Sequence, residues 1–273
     1  MLGKNGMLGS EFTKLLSKKD GVELIATDKD GFDITDARAL EMFFDEHRPQ
    51  VVINCAAYTF VDNCETNSDL AFKVNAEAPK NMAKFCKKHD AILIHFSTDY
   101  VFAGEKKDYF EEDIPSPISV YGNSKYQGEK NIAAECEKFY IVRISTLFGE
   151  FGNNFVKKIY EAAKTKNSLD VVDDYVSCPT YAKDLAERIV EDFVSGKLKF
   201  GIYHLTNEGT VSRYEFAREI IKLAGLKTEI KPILAIKEDD MAARPHWSIL
   251  KTKKVSPLRH YEEALKFYLD LIK

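Results

Sequence analysis

Continuous apolar runs, rich in β-branched residues, alternate with amphipathic segments along the first half of this chain. Four runs have the length and composition of buried strands, at 22–28, 51–57, 91–98 and 140–145. Between them lie segments with a helical pattern, near 7–19, 36–48, 69–89 and 120–136. Strands that are apolar on both faces and alternate with helices form a parallel sheet covered by helices. The sequence therefore predicts an α/β fold with a doubly wound parallel sheet.

A glycine-rich segment, Gly3-Lys4-Asn5-Gly6-Met7-Leu8-Gly9, leads directly into the first predicted helix. In a G-x-x-G-x-x-G loop the first two glycines let the backbone approach a pyrophosphate, and the helix N-terminus faces its negative charge. Asp28 ends the next predicted strand, where an acidic residue binds the ribose of a dinucleotide. Three glycines can also form an ordinary loop, but Asp28 favours a Rossmann-type sheet that binds NADP(H) or NAD(H).

The strand that should lead into this loop is nearly absent, because only Met1 and Leu2 precede Gly3. In a doubly wound sheet that strand is central. The first strand is therefore apparently truncated. We expect the native protein to extend upstream by one strand of about five or six residues.

The regular alternation of strands and helices loosens beyond Gly149. A glycine-bearing segment at 150–154, a short apolar stretch at 169–172 and two helical stretches follow. We expect residues 1–149 to form an NAD(P)-binding Rossmann domain. Residues 150–273 are expected to form mainly a small substrate-binding lobe, with some segments returning to the Rossmann sheet.

The charge balance of 39 basic and 43 acidic residues gives a mild net charge of −4, unlike the basic surface of a nucleic-acid-binding protein. The five cysteines lack C-x-x-C spacing and the six histidines lack metal-ligand spacing, so neither a metal site nor Mg²⁺ is indicated. His95, inside an apolar strand, is expected to be a core residue. No apolar run reaches the ~18 residues that span a bilayer, and the N-terminus lacks an apolar signal core. We therefore expect a cytoplasmic protein without membrane or nucleic-acid partners.

Tyr121 and Lys125 form a Y-x-x-x-K pair at the start of a predicted helix, and their spacing places both on one helical face. A free phenol has a pKa of about 10, and a nearby ammonium lowers it by stabilising the phenolate. Such a tyrosine can act as the general acid toward a ketone that receives hydride. The alternative, an ordinary tyrosine on a surface helix, is disfavoured because Thr98 ends the preceding strand and places a hydroxyl at the same sheet edge.

Small side chains lie at the end of the predicted strand at 51–57. Ala56 and Ala57 would let a cofactor lie flat against the backbone. For Asn54 and Thr59, capping of the strand end and contact with a ligand remain equal alternatives.

Six segments together resemble the dTDP-4-dehydrorhamnose reductase family of extended short-chain dehydrogenases. They are GKNGMLG, NCAAYTFVDNCE, VNAEAP, HFSTDYVFAGE, YFEEDIPSPISVYGNSKYQGE and ARPHWSIL, and they extend from Gly3 to about Leu250. The resemblance implies a Rossmann domain with a small substrate domain. It also implies NAD(P)H-dependent reduction of the C4 ketone of a nucleotide-linked 6-deoxy-4-keto sugar, dTDP-4-dehydrorhamnose to dTDP-rhamnose.

The resemblance further implies roles for individual residues. Thr98 would bond the substrate oxygen, Tyr121 would donate the proton, and Lys125 would lower the tyrosine pKa and hold the nicotinamide ribose. Cofactor contacts would come from Gly3, Gly6, Met7, Leu8, Gly9, Asp28, Asp33, Ile34, Ala56, Ala57, Thr59, Tyr121 and Lys125. The substrate, a small sugar nucleotide, would contact Thr98, Asp99 and Arg244. For Arg244, in the RPxxS motif, a structural salt bridge is an equal alternative.

Other functions remain open at this point. One is a cofactor-binding regulatory subunit that resembles the regulatory partner of methionine adenosyltransferase; another is a related sugar-nucleotide epimerase or dehydratase. The intact Thr98, Tyr121 and Lys125 favour an enzyme, and Tyr100 in place of a glutamate after Asp99 argues against dehydration. Thr146 stands where these sugar reductases often carry a tryptophan, which leaves an aromatic wall for the sugar nucleotide unassured. A homodimer is a possible assembly.

Overall fold

The computed structural model describes residues 1–235 and 241–273. Its helices are α1 Met7–Leu16, α2 Ala37–His47, α3 Val61–Thr66, α4 Ser68–Phe72, α5 Ala78–Lys88, α6 Val120–Glu135, α7 Phe155–Ala163, α8 Ala182–Arg188, α9 Arg213–Ala224 and α10 Tyr261–Ile272. Its strands are β1 Val51–Asn54, β2 Ile92–Thr98, β3 Asp108–Tyr109, β4 Phe139–Ile144, β5 Leu147–Phe148, β6 Ser168–Val172, β7 Val176–Ser177, β8 Thr180–Tyr181, β9 Gly201–His204, β10 Asn207–Glu208, β11 Val211–Ser212, β12 Glu229–Ile233, β13 Trp247–Leu250 and β14 Leu258–His260. π-Helical turns at Lys73–Glu77 and Ile189–Phe193 adjoin α5 and α8.

The main sheet has the order β1-β2-β4-β9, and every neighbouring pair is parallel. Apolar side chains cover both faces of this sheet and pack against helices. On one face Phe12 of α1 contacts Phe96 of β2, and on the other the core includes Phe44 of α2. The predicted α/β fold with a parallel Rossmann-type sheet is confirmed, and β9 joins it from the second half of the chain.

The segment predicted as a strand at 22–28 is not one; only Thr27 makes an isolated parallel bridge, with Leu2. Leu2 also forms a parallel bridge with Asn54 at the end of β1. Leu2 therefore lies between Thr27 and the end of β1. The Met1 amine donates to the Ile25 carbonyl at 2.6 Å, but the backbone from 22 to 24 has no strand beside it. A cavity of about 470 Å³ lies there, between residues 21–25 and β1. A strand needs a hydrogen-bonding neighbour along its length, which explains why this prediction was wrong.

Most strands after Gly149, joined by the earlier strands β3 and β5, form smaller sheets, and helices α7, α9 and α10 contribute to a further apolar core. One sheet has the order β11-β7-β13-β3, while β6 pairs with β12 and β5 with β8. Phe216 of α9 and Tyr268 of α10 belong to the core beneath them. The division into domains at Gly149 stays a prediction. None of the helices within the described ranges combines the length and apolar character that crossing a membrane requires.

Two contacts fix the position of helix α6, one at its N-terminus and one in its middle. The Ser119 hydroxyl caps its N-terminus by accepting from the Gly122 amide at 3.2 Å. Two turns further on, Gly128 packs directly against the π-helical turn: a Cβ built on Gly128 would lie 2.2 Å from the Asn75 carbonyl oxygen. The missing side chain therefore sets how close α6, which carries Tyr121 and Lys125, lies to its neighbour.

Gly128→Ala should lower the free energy of unfolding by roughly 1–3 kcal/mol, because a backbone oxygen cannot move aside as a side chain can. Urea unfolding followed by circular dichroism measures this change. Lys130→Ala, an exposed change on the same helix, should stay within about 0.5 kcal/mol of the wild type. Equal stability of Gly128→Ala and wild type would contradict the proposed constraint.

Candidate active site

The carboxyl edge of the main sheet brings Thr98 and Tyr121 together. Thr98 is the last residue of β2, and its hydroxyl accepts from the Tyr100 amide at 3.2 Å. Burial raises the pKa of the Tyr121 phenol, and a hydrogen bond with Thr98 offsets part of that rise. The phenol is therefore held protonated, which is the form that a proton donor needs.

The carboxylate of Asp99 lies behind Thr98 and is 4% exposed. It accepts from the Thr98 hydroxyl at 3.1 Å and from the hydroxyls of Ser145 and Ser248 at 2.7 and 2.5 Å. Burial raises the Asp99 pKa, and these three hydroxyls oppose the rise. This geometry makes Asp99 a residue that orients Thr98. The contact of Asp99 with the sugar, expected from the resemblance, stays a prediction.

Lys125 is buried against β2, with 2% of its surface exposed. Its Nζ donates to the Phe96 carbonyl at 2.7 Å and lies 3.2 Å from His95 Nε2. Burial lowers the pKa of Lys125 to about 8. Burial is the largest influence on the Tyr121 pKa, and the lowering of that pKa by Lys125 stays a prediction.

The glycine loop forms a tight cradle. Gly3 has a φ of +81°, and a Cβ on it would lie 2.7 Å from the Ala56 amide nitrogen. A Cβ on Gly9 would lie 1.9 Å from the Gly3 carbonyl oxygen, so the start of α1 packs directly onto the loop. The amides of residues 3–6 bond acceptors within the protein, whereas the N-terminus of α1 has no side-chain cap and so has free donors of the kind that bind a pyrophosphate.

A cavity of about 480 Å³ opens beside this cradle. Seven of the residues predicted to contact a cofactor line it, namely Gly3, Gly6, Asp28, Asp33, Ile34, Ala56 and Ala57. The other loop and strand positions do not: Leu8 is in the core, Gly9 packs on Gly3, Met7 lies against Gly149 and Gly152, and Thr59 is exposed. The size and lining of the cavity fit the adenosine half of a dinucleotide.

Polar and basic side chains surround the adenosine end of this cavity. The Asp28 carboxylate accepts from the amides of Asn5 and Lys29 at 2.9 and 2.7 Å, which ties it to the glycine loop. Lys29 and Lys73 line the same cavity. A backbone hydrogen bond from Thr35 lowers the Asp33 pKa, and the two lysines add to this effect.

A second cavity, of about 390 Å³, lies between the sheet edge and the C-terminal region. Its lining includes Arg213, Arg244 and Tyr175. Nη2 of Arg244 donates to both carboxylate oxygens of Asp62, at 2.8 and 2.7 Å, which forms an ion pair, while the contact of Arg244 with the substrate stays a prediction. The Arg213 guanidinium lies 5.1 Å from the centre of the Tyr175 ring. The Tyr100 ring meets that of Tyr121 edge-on, with 5.8 Å between the ring centres. Burial raises the pKa of Tyr100, and the charges of Arg213 and Arg244 oppose that rise.

Several residues that support the site were not singled out from the sequence, although Asn75 lies within the VNAEAP segment of the family resemblance. Asn75, in the π-helical turn, accepts from the Tyr58 amide at 2.8 Å and donates to the Ser124 hydroxyl at 3.0 Å, which joins the loop after β1 to α6. Arg213 and Tyr175 lie far from the recognised motifs in sequence. Within the described residues there is no group of three or more His, Cys, Asp or Glu side chains placed to bind a metal.

The whole chain, residues 1–273, matches the protein family described as the RmlD substrate binding domain. The chain belongs to this family. It is 37% identical to the Bacillus subtilis spore coat polysaccharide biosynthesis protein SpsK over 273 residues, which cover 98% of this chain and 95% of that protein. The family resemblance inferred from the motifs is confirmed.

Solved structures of related proteins have the same fold over nearly the full chain. A dTDP-4-dehydrorhamnose reductase from Clostridium acetobutylicum is 41% identical, with a TM-score of 0.94 and coverage of 99% of this chain and 98% of that one. The dTDP-4-dehydrorhamnose reductase of Bacillus anthracis, solved in complex with NADP, is 35% identical, with a TM-score of 0.93 and coverage of 99% and 97%. The NAD(P) cofactor predicted for this family member agrees with that complex.

We expect this family member to bind both NADH and NADPH, because Asp28 can bond a ribose diol while Lys29 and Lys73 can offset the charge of a 2′-phosphate. Fluorescence titration should give dissociation constants that differ by less than about a thousandfold, or ~4 kcal/mol. Lys73→Ala should weaken NADPH binding by about tenfold, ~1.4 kcal/mol, and leave NADH binding nearly unchanged.

Lys158→Ala, an exposed change on α7, is the control and should alter neither dissociation constant. Equal losses of NADH and NADPH binding in Lys73→Ala would show that Lys73 does not recognise the 2′ position.

Proposed function

We propose that this protein reduces the C4 ketone of a nucleotide-linked 6-deoxy-4-keto sugar with NAD(P)H, converting dTDP-4-dehydrorhamnose to dTDP-rhamnose. One observation carries the proposal above all: a protonated phenol and a threonine hydroxyl share the carboxyl edge of the main sheet, in a protein whose glycine loop lines a cavity that fits the adenosine half of a dinucleotide. The relatives named dTDP-4-dehydrorhamnose reductase support the choice of sugar and nucleotide.

The bound cofactor would supply hydride to C4. Gly3, Gly6, Ala56 and Ala57 would hold it against the sheet edge, and Asp28 would receive its adenosine ribose. The remaining cofactor contacts inferred from the resemblance, including those of Met7, Leu8, Gly9 and Thr59, stay predictions.

The protein's own residues would handle the ketone oxygen. The Thr98 hydroxyl, whose single hydrogen bonds Asp99 in this structure, would turn that hydrogen toward the ketone oxygen when the substrate binds. Tyr121 would transfer its phenolic proton to the same oxygen as hydride reaches C4, which yields a neutral alcohol and a phenolate. A positive charge on Lys125 would stabilise that phenolate.

The arginine-lined cavity would hold the nucleotide end of the substrate. Arg213 and Arg244 present guanidinium groups that suit the two phosphates of a nucleotide-linked sugar. Arg244 would exchange or share its bond with Asp62, whose pKa is lowered by that same arginine. Thr146, which bonds Ser177 at 2.7 Å, would leave the sugar without an aromatic wall at that position.

Neither a regulatory subunit nor an epimerase is favoured by a specific observation, because the proton-donating set is complete and placed at the sheet edge. A homodimer and a cytoplasmic location stay predictions.

Tyr121→Phe should lower kcat for NADPH oxidation with dTDP-4-dehydrorhamnose by roughly two to four orders of magnitude, because it removes the acid and keeps the ring. NADPH binding should remain close to that of the wild type. Tyr126→Phe removes a hydroxyl from the same helix outside the site and should leave kcat unchanged. Near-normal turnover by Tyr121→Phe would contradict the assigned proton donor.

A further inference from the structure

His95 occupies the middle of β2 and has no part in the mechanism described so far. Although it is 1% exposed, it is not a purely apolar core residue, because both ring nitrogens have polar neighbours. Nδ1 lies 3.0 Å from Asn54 Nδ2, and Nε2 lies 3.2 Å from Lys125 Nζ. The three side chains form a buried row that runs from the end of β1 to the catalytic helix.

The orientation of the Asn54 amide decides which imidazole nitrogen carries the hydrogen. The Ala56 amide donates to Asn54 Oδ1 at 3.1 Å, so the Asn54 NH₂ group faces His95. Because that group only donates, His95 Nδ1 must be the accepting nitrogen. A neutral imidazole has one N–H, which is therefore on Nε2 and points at Lys125.

Lys125 can receive this N–H only as a neutral amine. An ammonium has three donors and no lone pair, so it would set one donor against another. A neutral amine can accept from His95 Nε2 and still donate to the Phe96 carbonyl. A doubly protonated His95 would set its own N–H groups against the Asn54 NH₂ group and the Lys125 nitrogen. Burial together with the lysine keeps the pKa of His95 well below its usual value.

The other groups that face Lys125 do not replace His95. Glu129, on the next turn of α6, is held by Arg143 in a buried bidentate pair at 2.7 and 2.9 Å. Burial raises the pKa of the Cys55 thiol, which keeps it neutral. Tyr121, one turn before Lys125, is protonated for the same reason. His95 is thus the ionisable side chain in direct contact with the lysine nitrogen among the described residues.

We infer that His95 is a positioning residue which, oriented by Asn54, favours the neutral amine of Lys125 and thereby sets the pH at which the lysine loses its charge. Burial also favours the neutral amine, because it lowers the pKa of Lys125 to about 8. Since the charged lysine stabilises the Tyr121 phenolate, the rate should fall as pH rises through this range. The kinetic consequence rests on the proposed function, whereas the position of the hydrogen does not.

The hydrogen can be located by ¹⁵N NMR of the full chain labelled at histidine. His95→Gln identifies the two His95 signals by their disappearance. We expect Nε2 to carry the hydrogen and Nδ1 to be unprotonated at neutral pH. A hydrogen on Nδ1, or an imidazolium that titrates near pH 6.5, would overturn the inference.

Asn54→Asp should reverse the chain of hydrogen bonds. The carboxylate can still accept from the Ala56 amide, but it also accepts from His95, so the hydrogen moves to Nδ1 and Nε2 accepts from the Lys125 ammonium. The alkaline limb of the kcat/KM profile should then move to higher pH by about one unit or more. Should Asn54→Asp not fold, His95→Gln, which also frees the lysine from this constraint, should move the limb in the same direction.

Ser97→Ala is the matched control, because Ser97 is a buried polar residue on the same strand and its hydroxyl has no partner. It should leave the alkaline limb in place. Loss of kcat in Asn54→Asp and His95→Gln without movement of the limb would mean that the row is merely structural. A wild type that does not reduce the sugar would refute the proposed function, while the NMR result would still decide the position of the hydrogen.

Discussion

The buried carboxylate of Asp99 is the contact on which the rest of the site depends. Its oxygens receive hydroxyls from Thr98 at the end of β2, Ser145 after β4 and Ser248 in β13. The residues that it joins are far apart in sequence and belong to the main sheet and to the smaller C-terminal sheet. A buried carboxylate is costly unless it is well hydrogen-bonded. The same bonds that satisfy Asp99 therefore hold Thr98 in place and attach the C-terminal segment beside it.

A second buried row of polar side chains ends at Nζ of Lys125. Asn54, His95 and Lys125 come from β1, β2 and α6, and close packing at Gly128 sets the distance between that helix and its neighbour. Buried polar networks of this kind specify one arrangement, because each donor must meet an acceptor. Site geometry and protonation state are thus consequences of the same packing.

The sequence predicted the features that depend on local pattern. Alternating apolar runs predicted the parallel sheet, glycine spacing predicted the cradle, and the spacing of Tyr121 and Lys125 placed both on α6. What it did not predict depends on partners distant in the chain. In the segment 22–28 only Thr27 makes a bridge to another strand residue, so no strand forms there. The carboxylate of Asp99 accepts hydrogen bonds from the hydroxyls of Ser145 and Ser248. His95 was expected to be core because an apolar strand gives no sign that Asn54 and Lys125 lie at either side of its ring.

The central claim is that hydride reaches C4 of a nucleotide-linked keto sugar while Tyr121 supplies the proton. The most direct measurement is a reaction of the full chain with dTDP-4-dehydrorhamnose and NADPH that carries deuterium at the transferable position. NMR of the isolated product should show deuterium at C4 of dTDP-rhamnose. Oxidation of the cofactor without deuterium at C4, or no conversion of the sugar by well-folded protein that binds NADPH, would contradict this account.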